Sequence, residues 1–174
     1  MRGLSARLLG VLEGWYRPRA EEVGALAEVA RLNKLYLPFL RAVRDTLPGE
    51  WAVEEGRFRR FVEGCVEVGR ALAGLDYAFF KFRRPVDHVS VDLDVLVRPR
   101  DVGAAVKRLR GLGFEVVVAE PYTVTLSRGG FIVDLYTHPS FAWVVYMDGE
   151  QLLDYAEDFE LGGAVVRGLS REAE

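Results

Sequence analysis

Two aspartates, Asp92 and Asp94, lie two residues apart in an otherwise apolar stretch, and their spacing points to metal chemistry. Between residues 89 and 97, every residue except Ser90 and these two acids is Val or Leu. This alternation has a period of two, which predicts a β-strand with one apolar face and all three polar side chains on the other. Carboxylates roughly 7 Å apart on one strand face repel each other. The pair therefore predicts contact with water or with a cation.

A third aspartate, Asp134, has the same kind of surroundings. It is the one acid in the apolar stretch 131–136, which follows a predicted hairpin turn at Gly129-Gly130. If this strand lies beside the strand of Asp92 and Asp94 with the same facing, the three carboxylates converge. Sets of oxygen ligands of this kind suit Mg²⁺ or Mn²⁺, which are hard cations. Two such ions can clamp a phosphoryl displacement from the attacking and the leaving side.

The elements that must position these acids differ between the two parts of the chain. Up to Gly74 the apolar residues recur every three or four positions, which predicts a helical bundle. The pattern places its helices near residues 4–15, 23–32, 37–47 and 58–72. Pro48-Gly49 is predicted to end the third of them.

After Gly74 the period of the apolar residues changes to two, which predicts strands. These are expected at residues 77–82, 89–97, 114–119, 123–127, 131–137 and 143–147, with helices at 101–112 and 152–159 and a hairpin turn at 162–163. The fold class is therefore α+β, an N-terminal helical bundle followed by a mixed β-sheet with flanking helices. We predict a helical region at 1–74 and a sheet-containing core at 75–174.

The composition limits the classes of function. Half of the 174 residues are hydrophobic and the net charge is −3, which argues against a disordered chain and against a general nucleic-acid binder, although nucleic acid stays possible. No apolar stretch is long enough to cross a bilayer, and Glu13 within an amphipathic N-terminal pattern argues against a signal peptide. Cys65 is the single cysteine, so an internal disulfide and a cysteine-based zinc site are excluded. We expect a cytoplasmic protein without a membrane partner.

Two features concern the source and the end of the chain. Twenty Arg accompany three Lys, and Asn33 and Gln151 are the only amides, which fits a thermophile, while the Arg richness fits a high-GC genome equally well. Ser170 followed by acidic residues is typical of a helix start. Either a core that is truncated at residue 174 or a frayed tail would explain it.

The order of these residues resembles the DNA polymerase beta-type nucleotidyltransferase superfamily, in particular its small divergent bacterial and archaeal members. The resemblance covers about Asp76 to His138 and consists of the strand with Asp92 and Asp94, a helix, and the later strand with Asp134. It implies a metal-dependent transfer of a nucleoside monophosphate from a nucleoside triphosphate, for example ATP, to an acceptor hydroxyl. It also implies that the first two acids bind Mg²⁺ or Mn²⁺ and the nucleotide, and that the third binds one metal and helps to activate the acceptor.

The chain departs from the family pattern at the preceding turn. Where the family has a glycine pair whose backbone N–H groups hold the terminal phosphates, residues 79–84 contain no glycine. Lys81 is predicted to replace the lost donors as a charge on phosphate, and Arg83 is predicted to share its face. Ser90, beside the carboxylates, completes the predicted nucleotide-binding residues.

Other interpretations of these residues stay open. Lys81 also fits a lysine that extends from the sheet edge, and the arginine pair Arg83-Arg84 also fits a solvated surface. His88 and His138 flank the acidic strands and fit either polar strand-end residues or a ligand or base. For the whole chain, the alternative to an enzyme is a catalytically degenerate nucleotidyltransferase fold that acts as a binding or antitoxin-like module. A metal-dependent phosphohydrolase is less favoured, because such sites usually enlist histidines.

Overall fold

The computed structural model describes residues 2–83 and 85–174, which form two compact units. The first unit comprises residues up to Arg60 together with Pro85–Val89, and the second comprises the residues from Phe61 onward, without that short segment. The division falls within one long helix, whereas the predicted boundary at Gly74 lies just after the end of that helix. The later part of the helix packs against the sheet, and this contact explains why the compact units divide earlier than the change of period.

The first unit is a small helical bundle. Its helices are α1 (Arg2–Leu12), α2 (Ala20–Leu32), α3 (Tyr36–Ala42) and the beginning of α4 (Pro48–Leu72). The apolar residues spaced at three and four positions meet in one core, as the sequence predicts. Leu26, Ala30, Phe39 and Leu40 have no exposed surface in it.

Helix α4 begins earlier than the sequence pattern predicts. Pro48 starts this helix instead of ending the preceding one, so the prediction that Pro48-Gly49 closes α3 was wrong. The first position of a helix tolerates proline, because a backbone N–H at that position would have no acceptor within the helix. Proline, which has no N–H, therefore loses no hydrogen bond there. Although α4 has 25 residues, it is rich in charged side chains. None of the described helices is both long and apolar enough to cross a membrane.

The second unit contains a mixed seven-stranded sheet. Its strands are β1 (Tyr77–Phe79), β2 (Asp92–Val97), β3 (Glu115–Ala119), β4 (Thr123–Arg128), β5 (Phe131–Tyr136), β8 (Ala156–Leu161) and β9 (Ala164–Leu169). They lie side by side in the order β3-β4-β5-β2-β1-β9-β8. The β2–β5 and β1–β9 pairs are parallel and the other neighbouring pairs are antiparallel. A separate hairpin pairs β6 (Ser140–Phe141) with β7 (Val144–Val145). The predicted α+β class is confirmed.

Helices cover one face of the sheet, and this leaves the acids on the other. The later part of α4 and helix α5 (Val102–Gly111) pack on the first face, where the sheet contributes an apolar side chain at every second position. The sheet residues of this core include Phe79, Leu93, Val95, Val133 and Leu135. The residues between them in β2 and β5 necessarily point to the opposite face. Part of that opposite face is covered by α6 (Gly149–Leu153) through Leu153.

The last part of the sheet differs from the prediction. The stretch 152–159 was predicted to be a helix, but α6 ends at Leu153 and strand β8 begins at Ala156. The predicted hairpin turn at Gly162-Gly163 is confirmed, with φ of 55° and 76° at the two glycines. That turn brings β8 back along β9, and the ladder of hydrogen bonds outweighs the local helical pattern. After β9, the residues from Ser170 to Glu174 form a single hydrogen-bonded turn.

Candidate metal centre

The parallel pairing of β2 with β5 brings the three predicted acids together. The register places Asp94 directly opposite Asp134, and Asp92 opposite Ile132. Asp92, Asp94 and Asp134 each offer a carboxylate oxygen, and the three oxygens lie within 4.8 Å of one another. All three side chains are half-buried. We call these residues the acidic cluster.

Burial raises the proton affinity of two members of the acidic cluster. The pKa of Asp94 is raised above its usual value, first by burial and then by the charges of Asp92 and Asp134, although Lys81 opposes the shift. The pKa of Asp134 is also raised by burial, against the hydroxyl of Thr125, which donates a hydrogen bond to it. The folded chain therefore holds charges that it does not fully compensate.

A buried glutamate in the helical unit shows the opposite behaviour. Glu22 accepts hydrogen bonds from the backbone N–H of Arg19 at 3.0 Å and from the Tyr16 hydroxyl at 2.8 Å, and it also pairs with Arg7. The backbone N–H of Arg19, followed by the Tyr16 hydroxyl and the Arg19 side chain, lowers the pKa of Glu22 to about 2. Glu22 is thus a structural carboxylate whose charge is fully matched by donors of the chain itself. The acidic cluster instead receives hydroxyl donors from Ser90 and Thr125 and a single ammonium, that of Lys81, for three carboxylates. Such an excess of half-buried negative charge is typical of a site for an external cation.

We expect Asp134→Asn to stabilise the metal-free protein at pH 7.5. A raised pKa in the folded state costs stability above that pKa, and the cost disappears as the pH falls through it. The expected rise in the unfolding midpoint in EDTA is about 2–4 °C, and it should shrink toward pH 4. Thermal unfolding followed by circular dichroism measures it.

The matched control is Asp158→Asn, which removes an exposed strand aspartate away from the acidic cluster. It corrects for the general effect of lowering the negative charge of the chain. If Asp134→Asn stabilises no more than this control, or if its effect grows as the pH falls, the proposed cost of the clustered charges is contradicted.

Lys81 is the cation nearest to the acidic cluster among the contacts of the described residues. Its ammonium lies 3.3 Å from Oδ1 of Asp94, and it sits 4.7 Å from the ring centre of Phe80 and 5.2 Å from that of Tyr136. The two rings meet edge to face. The backbone of Lys81 has φ of 55°, the left-handed conformation that glycine usually supplies. The structure thus brings Lys81 to the acids, where its observed partner is a carboxylate.

The other two predicted nucleotide-binding residues have different outcomes. The Ser90 hydroxyl donates to Oδ1 of Asp92 at 3.1 Å, so Ser90 adjoins the acidic cluster. Arg83 does not share the face of Lys81. It pairs with Glu157 and lies over the ring of Phe159, which packs on the helix-covered face of the sheet. Arg84, its predicted companion, lies outside the described residues.

Within the described part of the chain, the group of residues that could hold a metal ion includes neither histidine. Nδ1 of His138 accepts a hydrogen bond from the backbone N–H of Gly149 at 3.0 Å, which ties the end of β5 to the start of α6. Its ring meets Tyr122 edge to face. His88 falls in the segment that belongs to the helical unit. The metal-ligand role that stayed open for His138 is therefore replaced by a structural one.

The turn after β1 contains no glycine, yet its backbone N–H groups bind a carboxylate of the chain itself. The backbone N–H groups of Phe82 and Arg83 both donate to the side-chain carboxylate of Glu174, each at 3.1 Å. Successive N–H groups that follow a left-handed residue, here Lys81, form a concave site for anions. Next to Glu174, Ala173 packs against the apolar cluster that includes Phe80 and Tyr136. Sequence reasoning missed this turn, because its only signal there was the absence of glycine.

Tyr136 is a further residue of the site that the sequence did not single out. Burial and then the charges of Asp94, Asp134 and Asp92 raise the pKa of its hydroxyl above the usual value. The phenol therefore remains protonated at neutral pH and lies among the carboxylates as a hydrogen-bond donor. The signal was present in the sequence, since Tyr136 shares a strand face with Asp134.

Comparisons with known proteins add no relative. No protein-family model matches the chain, and neither a curated protein nor a solved structure matches it. The ligand atoms of the acidic cluster are therefore the main indication of function. Within the described residues, the acidic cluster offers only carboxylate oxygens, and it includes neither histidine nor cysteine. These donors fit Mg²⁺ or Mn²⁺ better than zinc or copper, which favour nitrogen and sulfur ligands.

Proposed function

We propose that this protein is a metal-dependent nucleotidyltransferase, which moves a nucleoside monophosphate from a nucleoside triphosphate to an acceptor hydroxyl. The observation that carries the proposal is the convergence of Asp92, Asp94 and Asp134 on neighbouring parallel strands, with oxygens within 4.8 Å. The resemblance along the sequence, a strand with Asp92 and Asp94, then a helix, then a strand with Asp134, agrees with this function.

Each residue has a distinct role in the proposed reaction. Asp92, Asp94 and Asp134 would hold Mg²⁺ or Mn²⁺, and the ion would supply charge that stabilises the phosphates during transfer. The acceptor oxygen attacks the α-phosphorus, the bond from that phosphorus to the bridging oxygen of the β-phosphate breaks, and pyrophosphate leaves. The proton of the acceptor hydroxyl passes to the carboxylate of Asp134. Ser90 orients Asp92 through its hydrogen bond.

The test of the proposal is nucleotide binding that depends on the acidic cluster. We expect calorimetry to detect ATP binding in the presence of Mg²⁺ or Mn²⁺, and we expect Asp92→Asn to reduce the affinity at least about 100-fold, the scale of losing a charge-assisted contact to a partly buried ion. The control Asp158→Asn should bind as the wild type does.

Two outcomes would count against this function. One is the absence of ATP binding with either metal under native conditions. The other is equal binding by the wild type and Asp92→Asn, which would place the nucleotide elsewhere on the chain. Circular dichroism of each variant shows whether its fold is intact, so a loss of binding can be assigned to the lost carboxylate.

A degenerate fold that binds a partner is the second candidate, and two contacts favour it. Lys81 already pairs with Asp94, and Glu174 already occupies the N–H groups of Phe82 and Arg83. Both positions that a nucleotide complex would use are thus satisfied within the chain. This candidate predicts that a triple Asn variant of the acidic cluster folds, binds its partner and keeps its cellular function. Loss of cellular function in that variant would reject it.

A further inference from the structure

We propose that Lys81 takes the place of a second metal ion, so that the acidic cluster itself holds a single divalent cation. This inference rests on the proposed function, because it assumes that the acidic cluster binds metal. It goes beyond that function by stating how many ions this chain holds and which residue sets the number.

The Lys81 ammonium lies where a cation would approach Asp94. At 3.3 Å from Oδ1 of Asp94, it occupies the place from which a cation would approach that oxygen. Asp94 is the more buried residue of the ion pair, since 13% of its side chain is exposed and 47% of the Lys81 side chain is exposed. Asp94 retains its second oxygen for a metal, whereas the Lys81 side of the carboxylate is already neutralised.

Several contacts hold the Lys81 ammonium in place. It lies near the faces of Phe80 and Tyr136, at 4.7 and 5.2 Å from the ring centres, where cation–π attraction adds to the ion pair. The backbone at Lys81 adopts φ of 55°, a conformation that is unfavourable for residues other than glycine. A lysine that merely extended into solvent would need neither the two rings nor this backbone conformation.

The net charge of the acidic cluster with Lys81 also favours a single divalent cation. Three ionised carboxylates and one ammonium sum to −2, which one divalent cation cancels. A second divalent cation would bring the sum to +2 and would lie close to the ammonium, at a large electrostatic cost in a partly buried site.

The experiment counts the Mn²⁺ ions that the protein binds without nucleotide, by electron paramagnetic resonance of free Mn²⁺ and by calorimetry. We expect one ion in the wild type and in Lys81→Arg, which keeps the charge. We expect Lys81→Met to bind two ions, or one ion about tenfold more tightly, because the competing charge is gone. Lys81→Gly should behave as Lys81→Met does, and it suits the positive φ, so the result does not depend on one substitution.

The possible failures are distinct. Two ions in the wild type, or the same number and affinity in the wild type and in both neutral variants, would overturn the role of Lys81 and leave the metal site standing. An absence of Mn²⁺ binding in every variant would overturn the metal site itself, and the proposed function and this inference would fall together.

Discussion

Pyrophosphate release from ATP is expected to fall about 10³-fold in Asp134→Asn, while the variant stays folded. The reason is that Asp134 is proposed both to hold the metal ion and to take the proton of the acceptor hydroxyl. Loss of about 4 kcal/mol of transition-state stabilisation, the scale of a metal-assisted charge interaction, corresponds to that factor. The register that sets Asp134 against Asp94 makes it the one carboxylate that β5 adds to the acidic cluster.

The measurement uses ATP labelled at the α-phosphate, with Mg²⁺, and with the RNA, protein and small-molecule fractions of a cell extract as acceptors. Release of pyrophosphate and transfer of label into one fraction are followed together. Asp158→Asn is the matched control, because it removes an exposed strand aspartate on β8. Its rate should equal that of the wild type.

This experiment separates the two candidate functions. If the wild type binds ATP with Mg²⁺ but releases no more pyrophosphate than Asp134→Asn, the transferase function is contradicted and the binding module is favoured. If the control loses as much activity as Asp134→Asn, the effect arises from the charge of the whole chain and not from the acidic cluster.

Part of the site was predictable, because it depends on the period of a strand. The alternation in residues 89–97 places Asp92 and Asp94 on one face whatever the strand pairs with, and it does so in β2. The local pattern does not indicate which strand pairs with β2. The parallel pairing with β5, and the register that sets Asp134 against Asp94, are decided by how the apolar faces pack under α4 and α5.

The turn after β1 marks where strand periodicity stops being informative. The prediction that Arg83 shares the face of Lys81 assumed that a strand runs through residues 77–82, but β1 ends at Phe79. The left-handed backbone at Lys81 redirects the chain, so Arg83 reaches Glu157 on β8. The partner that satisfies this turn, Glu174, is 91 residues from Arg83, and no local pattern reports such a contact.

The edge of the sheet shows a conflict between local and distant forces. Residues 152–159 have the apolar spacing of a short helix, yet β8 forms there and pairs with β9 along its whole length. Gly162 and Gly163 make the tight turn possible, and the turn commits both flanking segments to a ladder. Strand propensity depends on such neighbours more than helix propensity does, so this stretch was the least predictable of the second unit.

Phe79→Ala is expected to cause the largest loss of stability among the substitutions considered. The Phe79 side chain has no exposed surface, and its ring packs 5.3 Å from that of Phe82 and 5.8 Å from that of Tyr77, measured between ring centres. Removing a buried phenylalanine ring leaves a cavity and costs about 3–5 kcal/mol. Because a domain is stable by only about 5–15 kcal/mol in total, the variant should unfold at a much lower urea concentration.

Urea unfolding followed by far-ultraviolet circular dichroism measures this loss, and Phe79→Leu is the matched control. Leucine keeps most of the volume in the same core and should cost less than about 1.5 kcal/mol. An equally large loss in both variants would mean that the ring contacts of Phe79, and not the volume that it fills, account for the stabilisation. The consequence reaches the site, because β1 pairs with β2 on one side and β9 on the other. Lys81 follows this strand by two residues, so its ion pair with Asp94 depends on the position of β1. The affinity for Mn²⁺ should therefore change more in Phe79→Ala than in Phe79→Leu.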